Sequence, residues 1–427
     1  MEEESKFISV ISNQIKSQLN SYILNPIKKQ NEFIENMNSN LVKKKNQRKY
    51  SQNKRNKNIF VILLKCFIIF TLTEHKISSM NTNRALQSNS SFILLKSSYV
   101  GTQNILASDY NGGYPDKIYL NENLVEGTPT NAIDLPSTDL IIKLEWNDKI
   151  NNCKNMFKGL GNLTEIDLSN FDSSLVTDTS FMFSSCSSLT SINLNNFITS
   201  SVRNMAGMFR YCSNLLSIDF SNFDTSLVTT FDEFLRSCNK LISVDVSSFN
   251  TSLVTDMGVM FREETNLKFL DLSNFDTSRV TRMYGMFSFC NSLTSLVLTS
   301  FNTSAVKIFS YFLEGCNHLI EVNVKNFDTS SAIEMQGMFS NCMIITELDV
   351  SNFNIKNVVK INSMFNDCEN LLSINLSNFD TSNVDKMDSL FKNCQKLTSI
   401  DLYNFDTSKV TDMRNMFQNC KTFINFN

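Results

Sequence analysis

The chain has 427 residues and a net charge of −3, from 39 Lys and Arg against 42 Asp and Glu, so no global field selects nucleic acid. Its only two histidines, His75 and His318, leave little material for acid–base or metal chemistry. The length would allow two or three compact domains, but a fixed internal period claims most of it for one array.

Residues 1–58 read as a basic, largely disordered tail, with eight Lys or Arg and no acid between Lys43 and Lys57. Directly after it, "IFVILLKCFIIFTL" (Ile59 to Leu72) is apolar apart from Lys65 and Thr71. A basic block before a short apolar run reads as a secretory signal or signal-anchor over residues 59–73. As a helix this run spans about 21 Å, short of the roughly 30 Å hydrocarbon core. Length therefore favours a signal over a stable span, while the long upstream tail and a poor small-residue site at Ser79 argue against cleavage. The basic flank stays cytoplasmic under the positive-inside rule, so the rest of the chain is expected outside in either case.

Residues 74–95 are expected to be a linker, and residues 96–150 an N-terminal cap. "DKIYLN" (Asp116 to Asn121) and "LIIKLEWNDKI" (Leu140 to Ile150) read as strands entering the array. Leu140 and Ile142 fall in register with Ile166 and Leu168, and Trp146, the single Trp, is placed to seal that end.

From residue 151 onward a step of 26 residues repeats without insertion: Phe171, Phe197, Phe223, Phe249, Phe275, Phe301, Phe327, Phe353, Phe379 and Phe405. The "MF" pair keeps the same step, from Met156–Phe157 to Met416–Phe417, with apolar substitutes in the remaining frames. A constant period of this size is the signature of a solenoid. Within a repeat, Ile192 and Leu194 alternate with Ser191 and Asn193, the period of a strand with one buried face. Val202, Met205, Met208, Phe209 and Cys212 then fall at offsets 0, 3, 6, 7 and 10, which fit an arc of roughly 120° on a helix. The "DTS" ahead of them suits a helix start. The expected fold is therefore an α/β solenoid over residues 151–427, one short parallel strand plus one short helix per coil.

The pattern "L-x-x-I-x-L-x-N-F-D-T-S-x-V-x-x-M-x-x-M-F-x-x-C" resembles the 26-residue repeat of bacterial surface proteins, grouped with the BspA-type leucine-rich repeats. Its clearest copies are Leu215 to Cys238, Leu371 to Cys394 and Leu397 to Cys420. The resemblance implies a leucine-rich-repeat-like solenoid on a cell surface, with roles in adhesion or recognition, and supplies no catalytic residues. One departure stands out: ordinary leucine-rich repeats carry Asn three residues after the second strand Leu, where this chain carries Phe (Phe197 after Leu194).

Three columns bear on chemistry. Nine of eleven cysteines share one, Cys186 to Cys420, with Leu160 and Glu264 in the two other frames; no zinc spacing occurs, so a small buried hydrophobe is expected, with occasional inter-coil disulfides as the rival reading. One acidic column follows the repeat Phe (Asp172, Asp224, Asp276, Asp328, Asp380, Asp406) and reads as capping or turn formation. The other lies on the outward strand face, where Asp219, Asp245 and Asp271 are consecutive and form the candidate ligand-binding set. Stacked carboxylates repel unless a cation intervenes, so Ca²⁺ is a candidate ligand there, against a solvated sheet face. No cofactor or catalytic site is otherwise expected: identical columns offer no unequal carboxylate pair, and no phosphate loop, nucleophile elbow or HExxH is present. Sequons at Asn89, Asn162, Asn250, Asn302 and Asn375 are candidate glycosylation sites in an exported eukaryotic protein.

These readings converge on a non-enzymatic surface or secreted protein that binds a protein or glycan through its strand face, attached to a membrane through the N-terminal apolar segment. The alternative is an intracellular scaffold with the same repeats. "KTFINFN" at the C-terminus breaks off within a strand position, an exposed edge from which either self-association or a truncated gene model is expected.

Overall fold

The computed structural model describes residues 90–126, 131–138, 140–421 and 425–426. The basic tail, the apolar segment 59–73, the linker as far as residue 89 and the Asn89 sequon lie outside the described residues.

The N-terminal portion is a small sheet. Strand β1 (Ser91–Ser97) buries Ile93, Leu95 and Ser97 on one face in a period of two. It is followed by β2 (Gly101–Asn104), β3 (Lys117–Leu120), β4 (Asn123–Leu124), β5 (Ala132–Leu135), β6 (Ile142–Trp146), β7 (Leu163–Asp167) and β8 (Ser191–Asn193). Six of these form one sheet in the order β4-β3-β6-β1-β7-β8, and β2 pairs with β5. Residues 91–95 therefore belong to the cap rather than to a linker. Register alone suggested that β6 leads straight into the repeats, but β1 lies between them, antiparallel to both, with Leu95 opposite Ile142 on one side and Ile166 on the other. Trp146 is buried, donates from Nε1 to the Gly113 carbonyl at 3.1 Å and meets the Phe171 ring edge-on at 5.6 Å.

In the repeats, residues 26 apart pair in parallel. One ladder runs without a break from Asn152 through Asp178, Asn204, Thr230, Asp256, Arg282, Ile308, Glu334, Lys360 and Lys386 to Asp412. The strand positions pair less continuously, in β7–β8, in β9 (Ser295–Leu296) with β10 (Glu321–Val322), in β11 (Ser399–Ile400) with β12 (Asn425–Phe426), and in single contacts such as Ser243 with Phe269.

No helix forms among the described residues, which corrects the expectation of one per coil. The N–H groups of Cys153, Asn155, Phe157 and Gly159 donate to the carbonyls of Asp178, Ser180, Met182 and Ser184 in the next coil, at 2.7–2.9 Å. The N–H groups between them, on Met156, Lys158 and Leu160, close local turns onto Cys153, Asn155 and Phe157. A helix would direct every N–H along its own axis and leave none for the neighbouring coil. Two residues per coil make the alternation possible by taking positive φ, as at Asn155 (62°) and Gly159 (77°), or Ser363 (57°) and Asp367 (58°). Left-handed residues at a spacing of four preclude a right-handed helix. The apolar offsets nonetheless point inward: Val202, Met205, Met208, Phe209 and Cys212 are all fully buried.

The "DTS" motif has a different purpose from helix capping. Thr277 Oγ1 donates to the Asn302 carbonyl at 2.9 Å and accepts from the Asn302 N–H at 2.8 Å, so the buried hydroxyl bridges two coils as a peptide group would. Thr199, Thr225, Thr251, Thr329 and Thr381 repeat this reciprocal bond. Thr277→Val should therefore cost about 1–3 kcal/mol, since it leaves the Asn302 N–H and carbonyl, both part-buried, without the hydroxyl that bridges them. Chemical denaturation would read this, and Thr277→Ser, which keeps the hydroxyl, should retain most of the stability. An Asn ladder is also present, one position earlier than in ordinary leucine-rich repeats: Asn196, Asn378 and Asn404 donate from Nδ2 to the carbonyls of Ser169, Ser351 and Ser377.

Candidate binding face

Two outer surfaces run along the coils. On the first, the positive-φ turns carry Arg210, Arg236 and Arg262, and the adjacent ladder carries Arg282. Arg210 and Arg236 both meet Glu233, at 2.9 and 3.0 Å, and Arg262 meets Glu263 at 3.1 Å. Arg282 reaches Asp232 at 2.7 Å and Asp256 at 3.1 Å. Each guanidinium also lies over a ring, Arg210 and Arg236 over Tyr211, Arg262 over Phe289 and Arg282 over Tyr284. Burial pushes the Glu263 carboxyl up, but bonds from Ser237 and Arg262 outweigh it and hold it below the ordinary carboxylate range. Phe181, Phe289 and Tyr311 fit the left-handed turns because the next coil offers Gly207, Gly315 and Gly337: a Cβ on Gly337 would lie 2.6 Å from Cδ1 of Tyr311. The four guanidinium groups are thus paired with acids of their own chain.

The second surface carries the strand positions. Asp219, Asp245 and Asp271 are exposed there in consecutive coils, and each accepts at Oδ1 from the N–H two residues on, of Ser221, Ser247 and Ser273, at 2.9 Å. The same short loop forms at Asp167, Asn193, Asn323, Asp349, Asn375 and Asp401. Asp and Asn interchange in this column because the bond needs an oxygen and no charge. Among the described residues, none of Asp219, Asp245 and Asp271 has an ion-pair partner, unlike Asp349, which Ser351 and Lys325 hold at a pKa of about 2. Among the described residues, no group of three or more His, Cys, Asp or Glu side chains is arranged to hold a metal.

Sequence reasoning missed the apolar side chains beside these acids. Leu216, Ile242, Phe269, Val297 and Ile320 are exposed, one per coil over five consecutive coils, with Phe269 at 64%, Ile320 at 59% and Val297 at 56%. Phe269 sits in a column of Ser and Glu, and Val297 in the Asp/Asn column, so comparison down each column would have marked both. Leu216, Ile242 and Ile320 each adjoin a buried Leu and so read as part of an inward run.

The remaining columns are interior or local. The column thiols are free, and Cys186, Cys212, Cys238, Cys290, Cys316, Cys368, Cys394 and Cys420 each donate to a Phe carbonyl 29 residues earlier, at 3.0–3.2 Å. Burial pushes the Cys186, Cys316 and Cys368 thiols up to about 12. Glu264 occupies this column with 1% exposure; its Oε1 accepts from the Cys238 N–H at 2.6 Å and its Oε2 has no partner. Asp172, Asp224, Asp276, Asp328, Asp380 and Asp406 accept from the N–H two residues on, which makes them turn formers. Asn162, Asn250, Asn302 and Asn375 are exposed, and the last three use Oδ1 in local loops, with the amide nitrogen outside those bonds.

The family described as "Mycoplasma protein of unknown function, DUF285" matches residues 142–243, 230–347 and 345–427. The chain belongs to this family. The three tandem DUF285 matches begin at the first residue of β6 and cover all the 26-residue coils, so the repeat character of this part of the chain is shared with the family. The exposed apolar stripe and the Asp219, Asp245 and Asp271 set both lie within the DUF285 matches. No curated protein and no solved structure matches the chain.

Proposed function

We propose that this chain carries a solenoid of leucine-rich-repeat-like type, without helices among the described residues, is a surface-exposed or secreted protein, binds a protein or glycan ligand through its strand face and catalyses no reaction. The observation that carries the binding reading is the contrast between the two outer surfaces. On the turn face Arg210, Arg236, Arg262 and Arg282 pair with acids of their own chain, whereas on the strand face Leu216, Ile242, Phe269, Val297 and Ile320 are exposed and Asp219, Asp245 and Asp271, each bonded to one backbone N–H, enter no ion pair among the described residues. Groups left unpaired on a regular wall are available to a partner. The export reading draws on the basic block ahead of Ile59 to Leu72 and on the resemblance to bacterial surface repeat proteins. The competing reading, an intracellular scaffold, draws on the free thiols of the cysteine column.

A C-terminal epitope tag with protease added to intact cells separates the two. Loss of the tagged repeats to external protease is the expected result, and full protection until the cells are lysed would sink the export reading.

A further inference from the structure

We infer that the strand face between Leu215 and Asn323 docks an extended polypeptide segment in which basic and apolar residues alternate. This rests on the reading of the strand face as the binding surface and adds the chemistry of its partner. The five strand segments concerned are 215–219, 241–245, 267–271, 293–297 and 319–323. Their charged side chains are Asp219, Asp245, Lys268, Asp271 and Glu321, and none of these enters an ion pair among the described residues. The acids therefore outnumber the single base four to one and present a field that favours a cationic partner.

Leu216, Ile242, Phe269, Val297 and Ile320 supply one exposed apolar contact in each coil of the same stretch. At about 4.8 Å per coil, four steps cover roughly 19 Å, the length of about six residues of extended chain. An extended partner laid along the stack between two rows would turn alternate apolar side chains, about 6.6 Å apart, toward the row of Leu216, Ile242 and Ile320, and the intervening basic ones to its other side, toward the row of Asp219, Asp245 and Asp271. A glycan is less suited, because only Phe269 offers a flat ring among these contacts. Burying the apolar stripe supplies affinity, and the carboxylates supply orientation and a salt-dependent on-rate.

The test uses the full chain and three fluorescent octapeptides, alternating Lys and Leu, alternating Glu and Leu, and alternating Lys and Ser. The Lys–Leu peptide should bind at least tenfold more tightly than either of the others. Phe269→Ser combined with Val297→Ser should weaken it at least tenfold; both are surface positions, so the fold is retained. Asp219→Asn, Asp245→Asn and Asp271→Asn together should weaken it and flatten its salt dependence, and Asn keeps the local loop as it does at Asn193, Asn323 and Asn375. Equal binding of the Glu–Leu peptide, or Lys–Leu binding that neither set of variants alters, would overturn the inference. So would selective binding of oligosaccharides with no peptide bound, a result that leaves the strand face as a binding surface and changes only its partner.

Discussion

Replacing Glu264 by cysteine, the residue of its column in nine other coils, is expected to stabilise the protein by about 1–3 kcal/mol. Glu264 is buried among thiols, with Cys238 in the coil before and Cys290 in the coil after, and one of its oxygens has no partner. Its other oxygen takes the Cys238 N–H at 2.6 Å and stretches that amide's turn bond to Leu235 to 3.4 Å, against 3.1 Å at Cys186, Cys212 and Cys290. Cysteine removes the orphaned acceptor and lets the turn relax. The same site carries a pH dependence. Desolvation, with a smaller push from neighbouring Glu263, raises the Glu264 carboxyl well above its ordinary 4.5. A folded-state pKa raised above the unfolded one means that its stabilising effect is complete below about 4.5 and is lost as pH rises toward the folded value. Wild-type stability should therefore fall relative to Glu264→Gln as pH rises from about 5, by at most about 1.4 kcal/mol per pH unit. Urea midpoints of both proteins across pH 5 to 8 would read this. Parallel pH profiles would show that the carboxyl is solvated in the folded state.

Phe365→Ala should have the opposite sign and a larger size, a loss of about 3–5 kcal/mol. The Phe365 ring is fully buried and lies between Phe339 at 5.9 Å and Phe391 at 5.4 Å, within 2° and 7° of parallel. Truncation opens a cavity between two coils, and the neighbours cannot collapse into it because both are held in register by the Phe365 and Phe339 N–H bonds to Leu390 and Met364. Stability in such an array is close to a sum of nearest-neighbour terms, so damage at one interface weakens both adjacent ones. Phe365→Leu should cost far less, since Leu235 and Leu313 already occupy the column. Phe417→Ala, at a partly exposed ring, should also cost less than Phe365→Ala. Thermal and urea unfolding of the three variants would give this ranking, and equal losses at Phe365 and Phe417 would contradict nearest-neighbour packing.

How much of this was legible follows from which residues face what. The 26-residue step and the inward apolar set, down to Val202, Met205, Met208, Phe209 and Cys212, were plain in the sequence. The error was in the backbone that joins them. Offsets of 0, 3, 6, 7 and 10 also satisfy a chain of tight turns, and the signal that separates the two is the left-handed pair in each coil. Gly, Asn or Asp fills half of those positions, but Phe181, Tyr211, Glu233, Val259, Phe289 and Tyr311 occupy others and conceal the pattern. They are accommodated by contacts that cross between coils, such as Tyr311 against Gly337, which no local propensity contains. At the candidate site, the outward column of Asp219, Asp245 and Asp271 was visible from its period, whereas the loop each closes with the following serine requires knowing where the strand ends. The apolar stripe was hidden for a related reason. An exposed Leu216 next to a buried Leu215 looks the same in sequence as two buried leucines.

Spin-label distances test the stacking most directly. Nitroxides at Thr177 and Ile333, six coils apart, and at Thr177 and Thr411, nine coils apart, share one exposed column. Successive coils in parallel register predict separations of about 29 and 43 Å, in proportion to the number of coils between the labels. Distances that do not grow with coil number, or broad distributions at both pairs, would contradict it.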